Sequence, residues 1–345
     1  MAFPTCQSGR RMERRHALPQ NPTNLRGDAV TDIVVVGSVN VDLTSYLSRW
    51  PGVGETVAAQ STRIGLGGKG ANQAVAAARL GASVALIAAT GTDGFGTDAT
   101  NALRTEGITL LQTRRAGTST GMAFIDVGPE GGNIIRLSAG ANATLSAADI
   151  KAHGSAIAGA RVLLLQNEVP IETSCAAARI ARQHGVRVIM DPAPAPSPFW
   201  PREVLSAFDI ITPNAHETHE ILGHLPKTLQ DAQEAARALR EHGPRGAIVT
   251  MGGLGAGWSI DNVEGHITAP NVPSVDTVGA GDCFNGALAA GLAQDLDLSR
   301  AIERAVHAAA LATTRQCAAQ ATPDARALDE FTAAPKLCML TGKVA

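Results

Sequence analysis

Short apolar runs rich in β-branched residues recur along this chain and alternate with alanine-rich segments. The first is Asp32-Ile33-Val34-Val35-Val36-Gly37, and others span Val84 to Ala89, Val162 to Leu165, Val186 to Met190, Ile210 to Thr212 and Ala247 to Thr250. Runs this short and continuously apolar predict strands buried on both faces, as in a parallel sheet. Between them, residues 71–80, 172–184, 229–242 and 283–293 predict helices, and the alternation is that of βαβ units with helices on both sides of one sheet. Two stretches break the rhythm. Residues 41–64 and 117–137 are richer in Thr and Ser, alternate apolar with polar positions, and include the turn sequence Gly128-Pro129-Glu130-Gly131-Gly132. They predict antiparallel strands off the main sheet. The expected fold class is α/β: a mostly parallel central sheet flanked by helices, with a small antiparallel β lid.

The globular pattern occupies residues 31–335, with 1–30 read as a flexible N-terminal extension and 336–345 as a C-terminal tail. The extension carries Arg10, Arg11, Arg14, Arg15 and Arg26 against few acids, a bias shared by transit peptides and by flexible tails, of which the tail is the simpler reading. Composition is that of an ordinary globular protein, 45% hydrophobic and 17% charged. Lys plus Arg number 29 against 31 for Asp plus Glu, a balance of −2 with no basic block, so neither nucleic acid nor anionic lipid is expected as a partner. No apolar run is long enough to cross a bilayer, so no membrane partner is expected either. The five cysteines, odd in number and without a Cys-x-x-Cys pair, point to a reducing, cytoplasmic setting.

In open α/β sheets ligands bind beyond the carboxyl ends of the strands. Asn40, Asp42, Asn167, Glu168, Asp191, Asn214 and Glu217 all follow predicted strands, and Gly252 and Gly253 follow another. The strongest chemical signal is Asp276-Thr277-Val278-Gly279-Ala280-Gly281-Asp282. Glycines on both sides of Ala280 let backbone N–H groups converge, and the apolar segment that follows reads as a helix whose N-terminus faces the turn. Such a turn traps anions. A carboxylate placed there has a purpose if it takes a proton from a hydroxyl that attacks a phosphoryl group held by the same amides, which makes Asp282 the candidate general base. The plainer alternative is an Asp that caps a helix. A second cluster, Gly65-Leu66-Gly67-Gly68-Lys69-Gly70-Ala71-Asn72-Gln73, also opens an alanine-rich segment.

Four patterns are decoys. Gly65-x-Gly67-x-x-Gly70 matches the dinucleotide fingerprint, but the polar residues before it lack first-strand character, so a dinucleotide-dependent oxidoreductase stays a remote alternative. Lys69 is followed by Gly70, not by the Ser or Thr of a phosphate-binding P-loop. His216 and His219 stand three apart where a zincin helix needs four, and Cys283 has no His beside it to make it a nucleophile.

Taken together, these motifs resemble those of the PfkB-type, ribokinase-like carbohydrate kinase family over residues 32 to 332. Gly67-Gly68-Lys69-Gly70-Ala71-Asn72-Gln73-Ala74 and Asp276 to Asp282 match its two signatures. Supporting matches are Gly37 to Asp42, Ser119-Thr120-Gly121, Ala139 to Asn142, Pro192 to Ala195 and Thr212-Pro213-Asn214-x-x-Glu217. The resemblance implies transfer of the γ-phosphoryl group of ATP to the 5-hydroxyl of D-ribose, with 2-deoxyribose, fructose or a nucleoside as alternative acceptors. It implies a sugar site of Asn40, Asp42, Gly68, Lys69, Asn72 and Glu168, with Asp282 as base and the amides of Gly279, Ala280, Gly281 and Asp282 as anion hole. On the nucleotide side it implies Asn214, Thr250, Gly252, Gly253, Gly255, Gly281 and His307, with Glu217 ordering Mg²⁺ through water. Asp276 and the Val278 carbonyl match a monovalent-cation site, usually K⁺, and the family's assembly implies a homodimer through the β lid. Two departures stand out. The segment Arg315 to Thr322 differs from the expected Arg-Lys-Gly-Ala-Gln-Pro-Ser, which leaves further cation ligands unassigned, and Asp191 stands where ribokinases commonly have Asn, adding negative charge near the site.

Overall fold

The computed structural model describes residues 31–129 and 132–333. The expected N-terminal extension, the C-terminal tail and the centre of the Gly128 to Gly132 turn lie outside the described residues. In chain order the strands are β1 (Ile33–Val36), β2 (Asn40–Tyr46), β3 (Ser61–Gly67), β4 (Val84–Gly91), β5 (Thr109–Arg115), β6 (Gly121–Val127) and β7 (Asn133–Ser138). They continue with β8 (Val162–Gln166), β9 (Arg187–Asp191), β10 (Ile210–Ile211), β11 (Gly246–Thr250), β12 (Gly255–Ile260) and β13 (Val263–Thr268).

Nine strands form one sheet in the order β13-β12-β11-β10-β9-β8-β1-β4-β5. Neighbours pair in parallel from β11 through to β5, and the β11–β12–β13 edge is antiparallel. The expected strands are all present in this sheet, whereas β5 and the β12–β13 hairpin lie outside the predicted runs. Each strand distributes its side chains to two cores. Ile33 and Val35 pack with Val75, Ala287 and Leu288 on one face, and Val34 and Val36 pack with Ala177, Ala235 and Leu163 on the other. Alanine-rich helices suit this arrangement because small side chains let helix backbones lie close to the sheet.

A second sheet, in the order β3-β2-β6-β7, stands off the first. Its two outer pairs are antiparallel as expected for the lid, while the central β2–β6 pair is parallel because both strands leave the main sheet in the same direction. Their roots are tied together. Asn142 donates to Asn40 Oδ1 at 2.7 Å and accepts from the Val39 N–H at 2.9 Å, so one buried side chain holds the base of β2 against the segment that follows β7.

The chain order reverses at β1: β4 and β5 lie on one side, and β8 to β11 on the other. The crevice outside the carboxyl ends of β1, β8 and β9 is therefore where an open sheet of this kind builds a ligand site. No helix among the described residues is long and apolar enough to cross a membrane.

Candidate active site

The crevice is walled by the N-termini of two helices, Lys69–Arg79 and Ala280–Ala293. Each starts at a glycine in the left-handed region, Gly68 at φ 89° and Gly279 at φ 78°. A β-carbon on Gly68 would stand 2.7 Å from the Asn40 amide nitrogen, and one on Gly279 would stand 2.7 Å from Ala318, so both turns need glycine for conformation and for space. The first glycine cluster thus folds against the loop after β1. Its fingerprint-like spacing begins inside β3 of the small sheet, outside any βαβ unit.

Asp282 sits in the first turn of its helix, buried, with a relative exposure of 6%. Its Oδ2 accepts from Asn72 Nδ2 at 2.9 Å and its Oδ1 from Gln73 Nε2 at 3.3 Å, while Lys69 Nζ lies 3.8 Å away. Asn72 Oδ1 is buried with no donor among the described residues, an acceptor that a ligand hydroxyl would satisfy. Across the crevice, Glu168 accepts from the Lys69 N–H at 3.0 Å and from the Ser38 hydroxyl. Asp42 lies over the backbone of Gly67, where a β-carbon would strike its carboxylate. Burial, with the negative charges of Glu168 and Asp282, pushes the Asp42 carboxyl up to about 7. Burial works against the Lys69 ammonium, yet Asp191, Asp282, Glu168 and Glu217 together hold its pKa above the usual lysine value.

The remaining predicted residues fall into two groups around this centre. Asp276 Oδ1 accepts from the Val278 N–H and Oδ2 from the Cys317 N–H, each at 3.0 Å, so its carboxylate braces the anion turn against the 317–322 segment. Asp42, Arg63, Asp276 and Val278 line one cavity of about 680 Å³ between the small sheet and that turn. On the far side, Asn214 and Glu217 bond reciprocally: Asn214 Oδ1 accepts from the Glu217 N–H at 2.9 Å, and Glu217 Oε2 accepts from the Asn214 N–H at 2.8 Å. Their motif is a capping box on the helix Ala215–Leu222. Asn214 bridges in parallel to Thr250, which leads into the turn of Gly252, Gly253 and Gly255. His307 stands apart. Its Nδ1 lies 2.8 Å from the Glu303 carbonyl and its ring 6.1 Å from that of Phe331, and among the described residues no hydrogen bond joins it to another candidate residue.

The sequence assigns no site role to several buried polar residues of the crevice: Ser38, Gln73, Asn142 and Gln166. Gln166 Nε2 donates to Gln73 Oε1 at 2.7 Å, which turns the Gln73 amide N–H groups toward Asp191 and Asp282. The available signal was a polar residue at the end of an apolar strand or inside an alanine-rich helix. Cys283 is buried behind Asp282, and burial pushes its thiol up to about 12, which fits a packing residue and not a nucleophile.

The chain matches the pattern described as pfkB family carbohydrate kinase over residues 30–325. It is 37% identical over 300 residues to a ribokinase of Haemophilus influenzae, covering 87% of this chain and 97% of that one. It is 36% identical over 305 residues to a deoxyribokinase of Salmonella typhimurium, covering 87% and 98%. Among solved structures, the Arabidopsis thaliana ribokinase complexed with ribose and ATP superposes with a TM-score of 0.80 at 28% identity, covering 88% of this chain and 98% of that one.

Proposed function

The chain belongs to the pfkB family of carbohydrate kinases, and on that premise we propose that it is an ATP-dependent ribokinase. The hydroxyl at position 5 of D-ribose attacks the γ-phosphorus of ATP. A new P–O bond forms as the bond to the β–γ bridging oxygen breaks, the hydroxyl proton passes to Asp282, and ribose 5-phosphate and ADP leave. The observation that carries this reading is the buried Asp282 carboxylate behind the Gly279 turn, held by Asn72 and Gln73. Asp42, Glu168, Asn40, Asn72 and Lys69 offer the mixture of acceptors and donors that a polyol needs. Gly279 to Asp282 would supply amides to the charge that develops on the transferred group.

Oxygen-donor chemistry at Glu217 suits Mg²⁺ held through water, and Asp276 with the Val278 carbonyl suits a monovalent cation. Such ions would neutralise phosphate charge when bound. A cytoplasmic setting fits the free thiols of Cys175, Cys283 and Cys317. A homodimer through the small sheet fits its exposed apolar outer face, which carries Ile64, Phe124 and Ile134.

The deoxyribokinase relative favours one second reading, 2-deoxyribose as preferred acceptor. Initial rates with ATP and ribose, 2-deoxyribose, fructose and a nucleoside decide between them. The expected result is the highest kcat/KM with ribose, and a preference for 2-deoxyribose transfers the assignment. Asp282→Asn is expected to lower kcat by roughly 10²–10⁴-fold while ribose still binds. Unchanged turnover removes the base.

A further inference from the structure

Asp191 ends β9 next to the reacting centre, and the reading above gives it no part in the reaction. Its Oδ2 lies 3.6 Å from Lys69 Nζ and accepts from Gln73 Nε2 at 3.0 Å, while its Oδ1 accepts from the Ala193 N–H at 3.2 Å. It is nearly enclosed, at 4% exposure. The same two side chains, Lys69 and Gln73, reach Asp282, so one ammonium and one amide are shared between two buried carboxylates.

We propose that Asp191 is a positioning residue that shares Lys69 and Gln73 with Asp282, so that the base keeps a lone pair for the attacking hydroxyl and the lysine stays poised toward the phosphoryl group. The inference rests on the assignment of Asp282 as base. With a neutral residue at 191, the lysine has a single close carboxylate and closes onto it. A base locked in an ion pair is a poorer proton acceptor, and a lysine locked on the base is less available to the charge of the transferred group. Gln73 cannot compensate by turning over, because Gln166 fixes its Oε1.

The groups that face Asp191 are Lys69 from the helix Lys69–Arg79, Asp282 from the helix Ala280–Ala293 and Glu217 from the helix Ala215–Leu222. Glu168 faces Lys69 in turn, and Asp42 lies within reach of Glu168 and Asp282. Burial, opposed by Lys69 and reinforced by Asp282 and Glu217, pushes the Asp191 carboxyl up to about 7.

The test compares wild type, Asp191→Asn, Asp191→Glu and Asp282→Asn by kcat and KM for ribose across pH 5 to 9, with thermal melts alongside. Asp191→Asn is expected to lose about tenfold in kcat with KM for ribose within about threefold, and its acid limb should move to lower pH by about one unit. Asp191→Glu keeps the charge and should recover most of kcat and the wild-type acid limb. If Asp191→Asn does not fold, Asp191→Glu decides alone: the wild-type acid limb with kcat lowered two- to fivefold supports the proposal, and an acid limb displaced as far as that of a neutral substitution overturns it. A folded Asp191→Asn with the wild-type profile also overturns it. Full activity of Asp282→Asn would instead show that the base assignment itself is at fault, a distinguishable failure.

Discussion

Asp42 lies close to other acids in the crevice, and its carboxyl is held at about 7 against 3.8 for an unperturbed aspartate. The sign of the consequence follows from linkage. A carboxyl whose folded-state pKa is raised favours folding fully below the unfolded value and loses that contribution as pH climbs through the folded one. Asp191, also near 7, acts in the same direction. The ligand-free protein should therefore melt at lower temperature at pH 8 than at pH 5.5, with the loss running from about pH 4 to about pH 7. Asp42→Asn removes one of the two contributions, so its melting curve should be flatter across that window and more stable than wild type at pH 8 by roughly 1–3 kcal/mol. A wild-type Tm that rises from pH 5.5 to 8 contradicts this account. Under the proposed function the same variant should also raise KM for ribose, because a carboxyl acceptor for a sugar hydroxyl becomes an amide, which places stability and binding in opposition at one residue.

At the scale of elements, the helix Ala215–Leu222 has to be a stable helix and, under the proposed function, also a binding surface. Asn214 and Glu217 close its capping box, so a change at either position mixes two effects. Asn214→Ala should destabilise the protein by about 1 kcal/mol in urea titration through loss of the cap alone. Glu217→Gln retains an acceptor for the Asn214 N–H and should leave the urea midpoint close to wild type while raising the Mg²⁺ concentration needed for half-maximal turnover. Equal loss of stability in both variants would make the motif a cap and nothing more. Packing between the two site helices is tighter still: a β-carbon on Gly286 would stand 2.5 Å from Ala76 Cβ and 2.7 Å from the Gln73 carbonyl. Gly286→Ala should cost roughly 1–3 kcal/mol and lower kcat, since the strain falls on the turn that carries Gln73. Elements like these were legible in the sequence where chemistry and periodicity agree. The continuous runs from Ile33 and Val162 read as buried strands and the glycines around Ala280 as a turn at a helix start, whereas of the glycines before Lys69, Gly65 and Gly67 belong to β3 and Gly68 makes the turn. The β12–β13 hairpin was not legible, because Gly255, Gly257 and Gly265 interrupt its alternation and its pairing partner is fixed by β11. Gln73 and Gln166 escaped for another reason: their roles come from the mutual approach of β8, β9 and two helices, which no local pattern encodes.

Over the whole molecule, the small sheet raises the question of what covers it. Its strands alternate. Asp42, Thr44, Ile125, Arg63 and Ile64 border the cavity beside the Gly279 turn, and Ile64, Leu43, Phe124 and Arg136 stand in register across the sheet. Ile64 and Phe124 are 64% and 37% exposed, and Ile134 on the same face is 52% exposed. An apolar row of this kind on a four-stranded sheet is unfavourable in water, and a second copy of the same face would bury it by two-fold symmetry. If that is the assembly, wild type should sediment as a dimer at micromolar concentration. The double variant Ile64→Asp with Phe124→Glu should sediment as a monomer, since the like charges would meet across the two-fold axis. Because Asp42 and Leu43 are consecutive on β2, loosening the outer face should also loosen the inner one. The monomeric variant should then show KM for ribose raised about tenfold or more, with a smaller change in kcat, because the ordering of the lid would have to be supplied by substrate binding. A wild-type monomer with full activity would mean that the exposed row serves another purpose, and a monomeric variant with unaltered KM would mean that the two faces of the lid are independent.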